Sequence, residues 1–240
     1  MRIVLKYGGT SVGSLEKIQK IASYIKELKN SFNEIVVVVS AMGKMTDELL
    51  NKASFFTKEP NKREIDMLLS IGEQQSIALL SIALNSIGCE AISYTGTQVG
   101  IETFGDHGDS QIKNIDIEKI ESKLKEQKIV VVAGFQGVNS VGDITTLGRG
   151  GSDTTAVALA GRLGCQCRIY TDVDGVYTED PKKNRLAKKI GKISYDEMEK
   201  MSASGAKVME LRSVKIGKEY KVPIFIGESL GNEDGTYIVD

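Results

Sequence analysis

Residues 35–39 read IVVVV, five β-branched apolar residues with no polar interruption. Side chains along a strand alternate between the two faces of a sheet, so an unbroken apolar run demands cover on both. Such a strand belongs in the middle of a parallel sheet packed between layers of helices. Residues 129–133 (IVVVA) repeat the pattern. Between the strands lie helical signals. Behind Ser14, a candidate N-cap, Leu15, Ile18, Ala22, Ile25 and Leu28 recur at the spacing of one helix face. Further strands are expected at 2–6, 91–93, 168–170 and 222–226. Helices are expected near 47–56, 63–86 with Gly88 closing it, 116–127, 153–163, 194–201 and 204–219. Strand–helix alternation from end to end predicts an α/β fold: a three-layer αβα sandwich around a mostly parallel central sheet.

The chain has 240 residues but only three prolines, and no low-complexity tract or internal repeat marks a linker. One domain over 1–240 is expected, divided loosely into lobes of about 1–147 and about 148–240 at the glycine-rich segment 148–151. Lys plus Arg (31) nearly balance Asp plus Glu (32), so net charge demands no basic face and nucleic acid is not expected as the main partner. The apolar runs are of strand length, too short to span a bilayer, so no membrane association is expected. Met1 leads straight into a strand-like segment with no signal-peptide pattern, and the expected location is cytoplasmic. Cys89, Cys165 and Cys167 lack the spacing of a zinc pair and read as reduced packing residues. The single histidine, His107, lies in Gly105-Asp106-His107-Gly108-Asp109 and reads as a solvated loop residue. Its isolation argues against a Ser-His-Asp site and against a multi-histidine metal centre.

Five segments carry candidate chemistry. Lys6-Tyr7-Gly8-Gly9-Thr10-Ser11 follows the first strand. Two adjacent glycines let backbone N–H groups approach an anion, and a lysine at the strand tip adds a point charge. The lysine precedes the glycines, so this is neither a Walker A loop nor GxGxxG, which argues against a Rossmann dehydrogenase. A tight strand-to-helix turn with a surface lysine explains the same residues. In Gly148-Arg149-Gly150-Gly151-Ser152-Asp153-Thr154-Thr155, three glycines bare the backbone around one guanidinium suited to a carboxylate or phosphate. Ser152 is placed to cap the following helix, and Asp153 falls in its first turn. The polar segment from Thr171-Asp172-Val173-Asp174 to Tyr177 and Pro181 sits at a strand's C-terminal edge, where α/β sheets bind ligands. An acidic surface turn is the plainer alternative, and EF-hand spacing is absent. Glu73 shares a helix face with Leu69 and Ile77. A carboxylate there needs a partner or takes up a proton; an ammonium ligand and a core-edge Lys or Arg would serve equally. Finally, Ser40 and Thr46, in SAMGKMT at the exit of the 35–39 strand, offer hydroxyls to a small polar substrate.

Together these segments resemble aspartokinases of the amino-acid kinase superfamily. KYGGTS, VVVSAMGKMTD, LLSIGEQQSIALL, TTLGRGGSDTTAVALA, YTDVDGVYTEDP and SGAKVMELRSVKIGKEYKVPIFI stand in the family's order and cover nearly the whole chain. The TDVDGVYT block is shared across the superfamily, including uridylate kinases, whereas KYGGTS with GRGGSD is specific to aspartokinases. The resemblance implies transfer of the ATP γ-phosphoryl group to the β-carboxylate of L-aspartate, the first step of lysine, threonine and methionine biosynthesis, with Mg²⁺. It implies a phosphate-binding loop at Lys6, Tyr7, Gly8 and Gly9. Nucleotide contacts are implied at Thr171, Asp172, Tyr177, Lys182 and Lys207, and aspartate contacts at Ser40, Thr46, Glu73, Arg149 and Ser152. Lys6, Asp153 and Lys207 are implied in catalysis. The N-terminal lobe would take the substrate and the C-terminal lobe the nucleotide. Lys182 stands where many relatives carry arginine, which implies a different phosphate contact.

The expected mechanism has Arg149 clamping the substrate α-carboxylate and Glu73 taking its α-ammonium. An aspartate side chain with a pKa of about 3.9 arrives ionised, so no general base is needed, and Asp153 would orient Lys6 and Lys207. Relatives continue into paired ACT regulatory domains. A chain stopping at Asp240 is expected to escape feedback inhibition by lysine or threonine, and a homodimer through the kinase region is expected. Uridylate or acetylglutamate kinase is the nearest rival, disfavoured by the Arg149–Glu73 pair. A ligand sensor without turnover is disfavoured by retention of Lys6, Asp153, Thr171, Asp172 and Lys207.

Overall fold

The computed structural model describes residues 1–181, 183–205, 208–230 and 234–240. Lys182 and Lys207 lie outside the described residues. The N-terminal half builds β1 (Arg2–Tyr7), α1 (Leu15–Leu28), β2 (Glu34–Val39), α2 (Met45–Ser54), α3 (Lys62–Ser86), β3 (Ala91–Tyr94), β4 (Ile101–Phe104), β5 (Gln111–Ile115), α4 (Glu118–Lys125), β6 (Ile129–Ala133), β7 (Gln136–Val138) and β8 (Ile144–Thr146). The C-terminal half adds α5 (Gly151–Leu163), β9 (Gln166–Thr171), β10 (Val176–Tyr177), β11 (Lys189–Ile190), β12 (Lys192–Ile193), α6 (Tyr195–Ala203), α7 (Leu211–Tyr220), β13 (Ile224–Glu228) and β14 (Thr236–Ile238).

Among the described residues the main sheet has the order β12-β14-β13-β9-β1-β2-β6-β3. From β13 to β3 all neighbours run parallel, and β14 pairs antiparallel with β13. The valine run behaves as its composition demands. Val36 and Val38 face one core with α4, α5, α6 and α7, while Ile35, Val37 and Val39 face the other with α1 and α3. Val36 to Val39 are fully enclosed. Each such side chain contributes about 1.5–3 kcal/mol of burial, so the sheet centre is the most strongly held part of the fold. The three-layer αβα sandwich with a mostly parallel sheet is therefore the observed architecture. The sheet runs unbroken from the first half of the chain into the second through the β1–β9 pairing.

Ser14 caps α1, its hydroxyl accepting from the Lys17 N–H at 3.3 Å. The three cysteines are free, with Cys89 and Cys167 buried. Two expectations are corrected. The helix expected over 204–219 begins only at Leu211, because Ser204 and Gly205 (φ 101°) turn the chain out of α6 first. A second sheet, β5-β4-β7-β8, was not foreseen, since its strands are short and carry polar residues such as those of QIKNI. By length and composition α3 suffices to cross a bilayer. Here it packs on the sheet and buries Asp66 and Glu73 on its inner face.

Candidate active site

Parallel pairing puts the C-terminal ends of β1, β2, β6, β9 and β13 level with one another. Tyr7 is opposite Val39 and Tyr170, Val39 is opposite Ala133, and Gly227 is opposite Tyr170. The turns leaving these strands therefore share one sheet edge, and most candidate residues stand on them or beside them. The turn after β1 meets the turn after β2 backbone to backbone. Gly43 donates its N–H to the Gly9 carbonyl at 3.0 Å, and a Cβ at Gly9 would lie 2.7 Å from the Ala41 carbonyl oxygen. Only glycine allows that approach.

Lys6 points from β1 toward α5, and its ammonium lies 2.6 Å from the Asp153 carboxylate. Both side chains are largely enclosed, so the pair is held in a fixed geometry. Asp153 in the first turn of α5 also meets the positive end of the helix dipole. Of the two loop glycines, Gly8 already spends its N–H on the Tyr170 carbonyl at 3.1 Å. The amide of Gly9 makes no such bond among the described residues and is the one available to an anion. Tyr7 differs from expectation. Its ring lies in the core, stacked on Tyr170 at 5.1 Å between centroids, and its hydroxyl has no partner among the described residues. Burial drives that phenol well above its ordinary pKa. The Tyr7 side chain thus points away from the loop, a consequence of strand alternation with Lys6.

Glu73 is the most telling group. It is 97% enclosed on α3, and its Oε1 accepts the Ala41 N–H at 2.9 Å. Its other oxygen, Oε2, has no partner among the described residues. Burial pushes the carboxyl up to about 7, while the Ala41 hydrogen bond pulls the other way. Among the described residues no Lys or Arg pairs with it, so the structural salt bridge left open by the sequence is absent. Ser40, the residue before Ala41, is half-buried, and Thr46 is half-buried in the first turn of α2.

Ser152 is corrected as a cap. The helix α5 starts two residues earlier than expected, with Gly150 in the left-handed conformation at the cap position and no side-chain cap bond. Ser152 instead packs against the end of β6, where a Cβ at Gly134 would lie 2.8 Å from its Oγ. Arg149, between Gly148 and Gly150 at φ 72° and 66°, is exposed and makes no ion pair or hydrogen bond among the described residues. On the opposite flank, the Thr171 hydroxyl donates to Asp172 at 3.0 Å, and Ser229 donates its N–H to the Thr171 carbonyl. Tyr177 lies off the main sheet, in the β10–β11 hairpin, and its hydroxyl donates to Asp174 at 3.1 Å. The structure thus gathers Lys6, Gly8, Gly9, Ser40, Glu73, Ser152, Asp153, Thr171 and Asp172 at one edge and leaves Tyr177 on a separate hairpin.

Residues 1–228 match the amino acid kinase family. The chain belongs to that family. Among curated relatives, the aspartokinase of Geobacillus stearothermophilus is 54% identical over 98% of the chain and 58% of its own length. The chain thus spans little more than half of the relatives it matches. A crystal structure of aspartate kinase from Synechocystis is 47% identical with a TM-score of 0.86, covering 100% of this chain and 40% of that one. E. coli aspartokinase III, solved in complex with aspartate and ADP, is 25% identical with a TM-score of 0.89, covering 100% and 65%.

In this member of the amino acid kinase family two networks escaped the sequence. His107 is not simply solvated: its Nδ1 lies 2.7 Å from buried Asp66. Lys189 bridges Asp174 (3.4 Å) and Asp234 (2.6 Å), tying the hairpin that carries Tyr177 to the end of the chain. Both join residues more than forty positions apart or across hairpins. No local spacing announces them.

Proposed function

We propose that this chain is the catalytic region of an aspartate kinase, moving the γ-phosphoryl group of ATP onto the β-carboxylate of L-aspartate to give 4-phospho-L-aspartate. The observation that carries the reading is Glu73, an enclosed carboxylate with one oxygen unpartnered beside the Ser40–Ala41 turn. An isolated buried carboxylate is costly, and a ligand ammonium removes the cost. A nucleoside monophosphate acceptor or an N-acylated amino acid has no such cation to offer. The likeness to aspartokinases over nearly the whole chain supports the same acceptor.

In this reading Glu73 holds the α-ammonium, Arg149 clamps the α-carboxylate, and the Ser40, Thr46 and Ser152 hydroxyls surround the acceptor. Its β-carboxylate, already ionised near neutral pH, attacks the γ-phosphorus in line, and the bridging oxygen to ADP leaves with the electron pair. No proton moves, which suits a site edge without histidine. Lys6 and the Gly9 amide supply fixed positive charge toward the transferring group, and Asp153 orients Lys6. Lys207 and Lys182 are proposed as further phosphate contacts; Thr171, Asp172 and Tyr177 take the remainder of the nucleotide. Among the described residues no three acidic, histidine or cysteine side chains converge into a metal cage. That donor set suits Mg²⁺ arriving on the phosphates of ATP, as part of the substrate, because Mg²⁺ keeps its waters and needs few protein ligands. Each substrate draws on both halves of the chain within one domain: Glu73 and Arg149 for the acceptor, Lys6 and Thr171 for the nucleotide.

A coupled assay offering L-aspartate, L-glutamate, N-acetylglutamate and UMP tests the reading. Turnover is expected with aspartate alone at physiological concentration. Preference for UMP or N-acetylglutamate would overturn it.

A further inference from the structure

Arg149 projects from a turn held by one backbone bond of its own, from the Gly151 N–H to the Gly148 carbonyl at 3.1 Å. Gly148 and Gly150 are both left-handed and lack side chains, and Arg149 is exposed and unpartnered among the described residues. A bare turn of this kind samples many conformations unless a neighbour fixes it, and a mobile guanidinium would bind a carboxylate weakly. On one side Gly150 packs against the Glu210 side chain, and on the other the neighbour is the tight turn 105–110 between β4 and β5. A Cβ at Gly148 would lie 2.9 Å from Asp109 Oδ1 and 3.2 Å from the Gly108 carbonyl oxygen, so the two turns touch face to face.

Turn 105–110 is in turn anchored on two sides. On the first, Asp66 of α3 is fully buried with both oxygens engaged. Its Oδ2 faces His107 Nδ1 at 2.7 Å and accepts the Gly108 N–H at 3.1 Å, and its Oδ1 accepts the Thr146 hydroxyl at 2.5 Å. Ser110 donates its N–H to the Thr146 carbonyl at 3.0 Å. On the second, Arg212 in the first turn of α7 pairs with the Asp109 carboxylate and donates to the carbonyls of Ser110 (3.4 Å) and Leu147 (3.2 Å). Leu147 is the residue immediately before Gly148. One guanidinium therefore grips both turns.

We propose that Arg212 and Asp109 are positioning residues that lock turn 105–110 onto the Gly148–Gly151 turn and so set affinity for an acceptor carboxylate through Arg149, without touching the acceptor. The proposal rests on the reading of Arg149 as the α-carboxylate clamp. An exposed ion pair alone is worth little, but the two carbonyl bonds give Arg212 a fixed geometry that a solvated pair lacks.

The test compares Arg212→Gln, Asp109→Asn and the double variant with the unaltered chain. Each single variant is expected to raise KM for aspartate about tenfold, with kcat and KM for ATP within about twofold. The double variant is expected to cost little more than either single one. Faster amide hydrogen exchange at 147–151, with the central sheet unchanged, is expected in parallel. KM for aspartate unchanged in both single variants, or KM for ATP raised as much as KM for aspartate, would overturn the proposal. If the unaltered chain does not phosphorylate aspartate, the function reading fails and exchange decides alone: loss of protection at 147–151 upholds the lock, and unchanged protection refutes it.

Discussion

Replacing Glu73 with glutamine should make the ligand-free protein more stable and the enzyme useless, and the gain in stability should depend on pH. In the folded chain burial holds the Glu73 carboxyl at about 7 against an ordinary 4.5. The folded state therefore binds this proton more tightly than the unfolded state does. Below 4.5 both states are protonated and Glu73 carries no penalty. As pH rises from 4.5 to about 7 the unfolded chain ionises first, and stability falls. Above about 7 both states are ionised and the full cost stands. About 1.4 kcal/mol for each pH unit over that interval comes to about 3 kcal/mol.

Glutamine has nearly the same shape, its carbonyl oxygen still accepts the Ala41 N–H, and it cannot ionise. Urea unfolding of both proteins at pH 5, 6, 7 and 8 should show a stability difference that widens toward about 3 kcal/mol and levels off above pH 7. Subtracting the two curves cancels every other titrating group. A difference that is constant across this range, or a variant that is weaker at pH 8, would refute the claim that an unpaired buried charge sits at position 73. The kinetic counterpart has the same origin. An ammonium prefers the ionised carboxylate, so KM for aspartate at saturating ATP should rise about tenfold for each pH unit below about 7. The variant should lose that dependence along with its affinity.

Lys6→Ala, which removes a fixed cation from the phosphate side, should lower kcat about 10²–10³-fold while leaving far-ultraviolet circular dichroism unchanged. Arg149→Ala should raise KM for aspartate by about one to two orders of magnitude with little change in KM for ATP, the loss of a charge-assisted pair of hydrogen bonds. Gly72→Ala tests the packing of α3 beneath the acceptor turn. A helix-interior Gly→Ala change ordinarily gains up to about 1 kcal/mol, but here the new Cβ would lie 2.6 Å from the Ala41 Cβ. A lowered melting temperature is expected, and a raised one would show that the turn yields freely.

The architecture was readable because periodicity is a local property. An unbroken run of valines has few folds open to it, and the helical spacing after Ser14 leaves little choice of register. The glycine segments were readable as special backbone for the same reason, and the structure shows it in the close approach of Gly9 to Ala41 and in the left-handed Gly148 and Gly150. Legibility stopped where contacts cross the chain. Ser152 looked like a helix cap because it precedes an apolar helix, yet a left-handed Gly150 takes that position and turns Ser152 onto Gly134. Tyr7 looked like part of the loop, but alternation along β1 sends its ring into the opposite core from the Lys6 ammonium. His107 looked solvated because its partner, Asp66, lies on a helix that nothing nearby in sequence connects to it.

Glu73 and Asp66 show why such a site divides its carboxylates. Both are enclosed on the same helix, seven residues apart and thus about two turns along one face. Asp66 has partners on both oxygens, from a histidine, an amide and a hydroxyl, so its burial is compensated within the protein and it can serve as a fixed anchor. Among the described residues Glu73 has one partner and one vacant oxygen, so its burial is left uncompensated by them. The same helix thus carries one carboxylate that holds the scaffold and one that, in the proposed function, waits for the acceptor ammonium. Exchanging their roles would require moving His107 and Thr146 to the other turn. It follows that substitutions at Asp66 should weaken folding in the absence of any ligand, whereas Glu73→Gln should strengthen the ligand-free fold and lose acceptor binding.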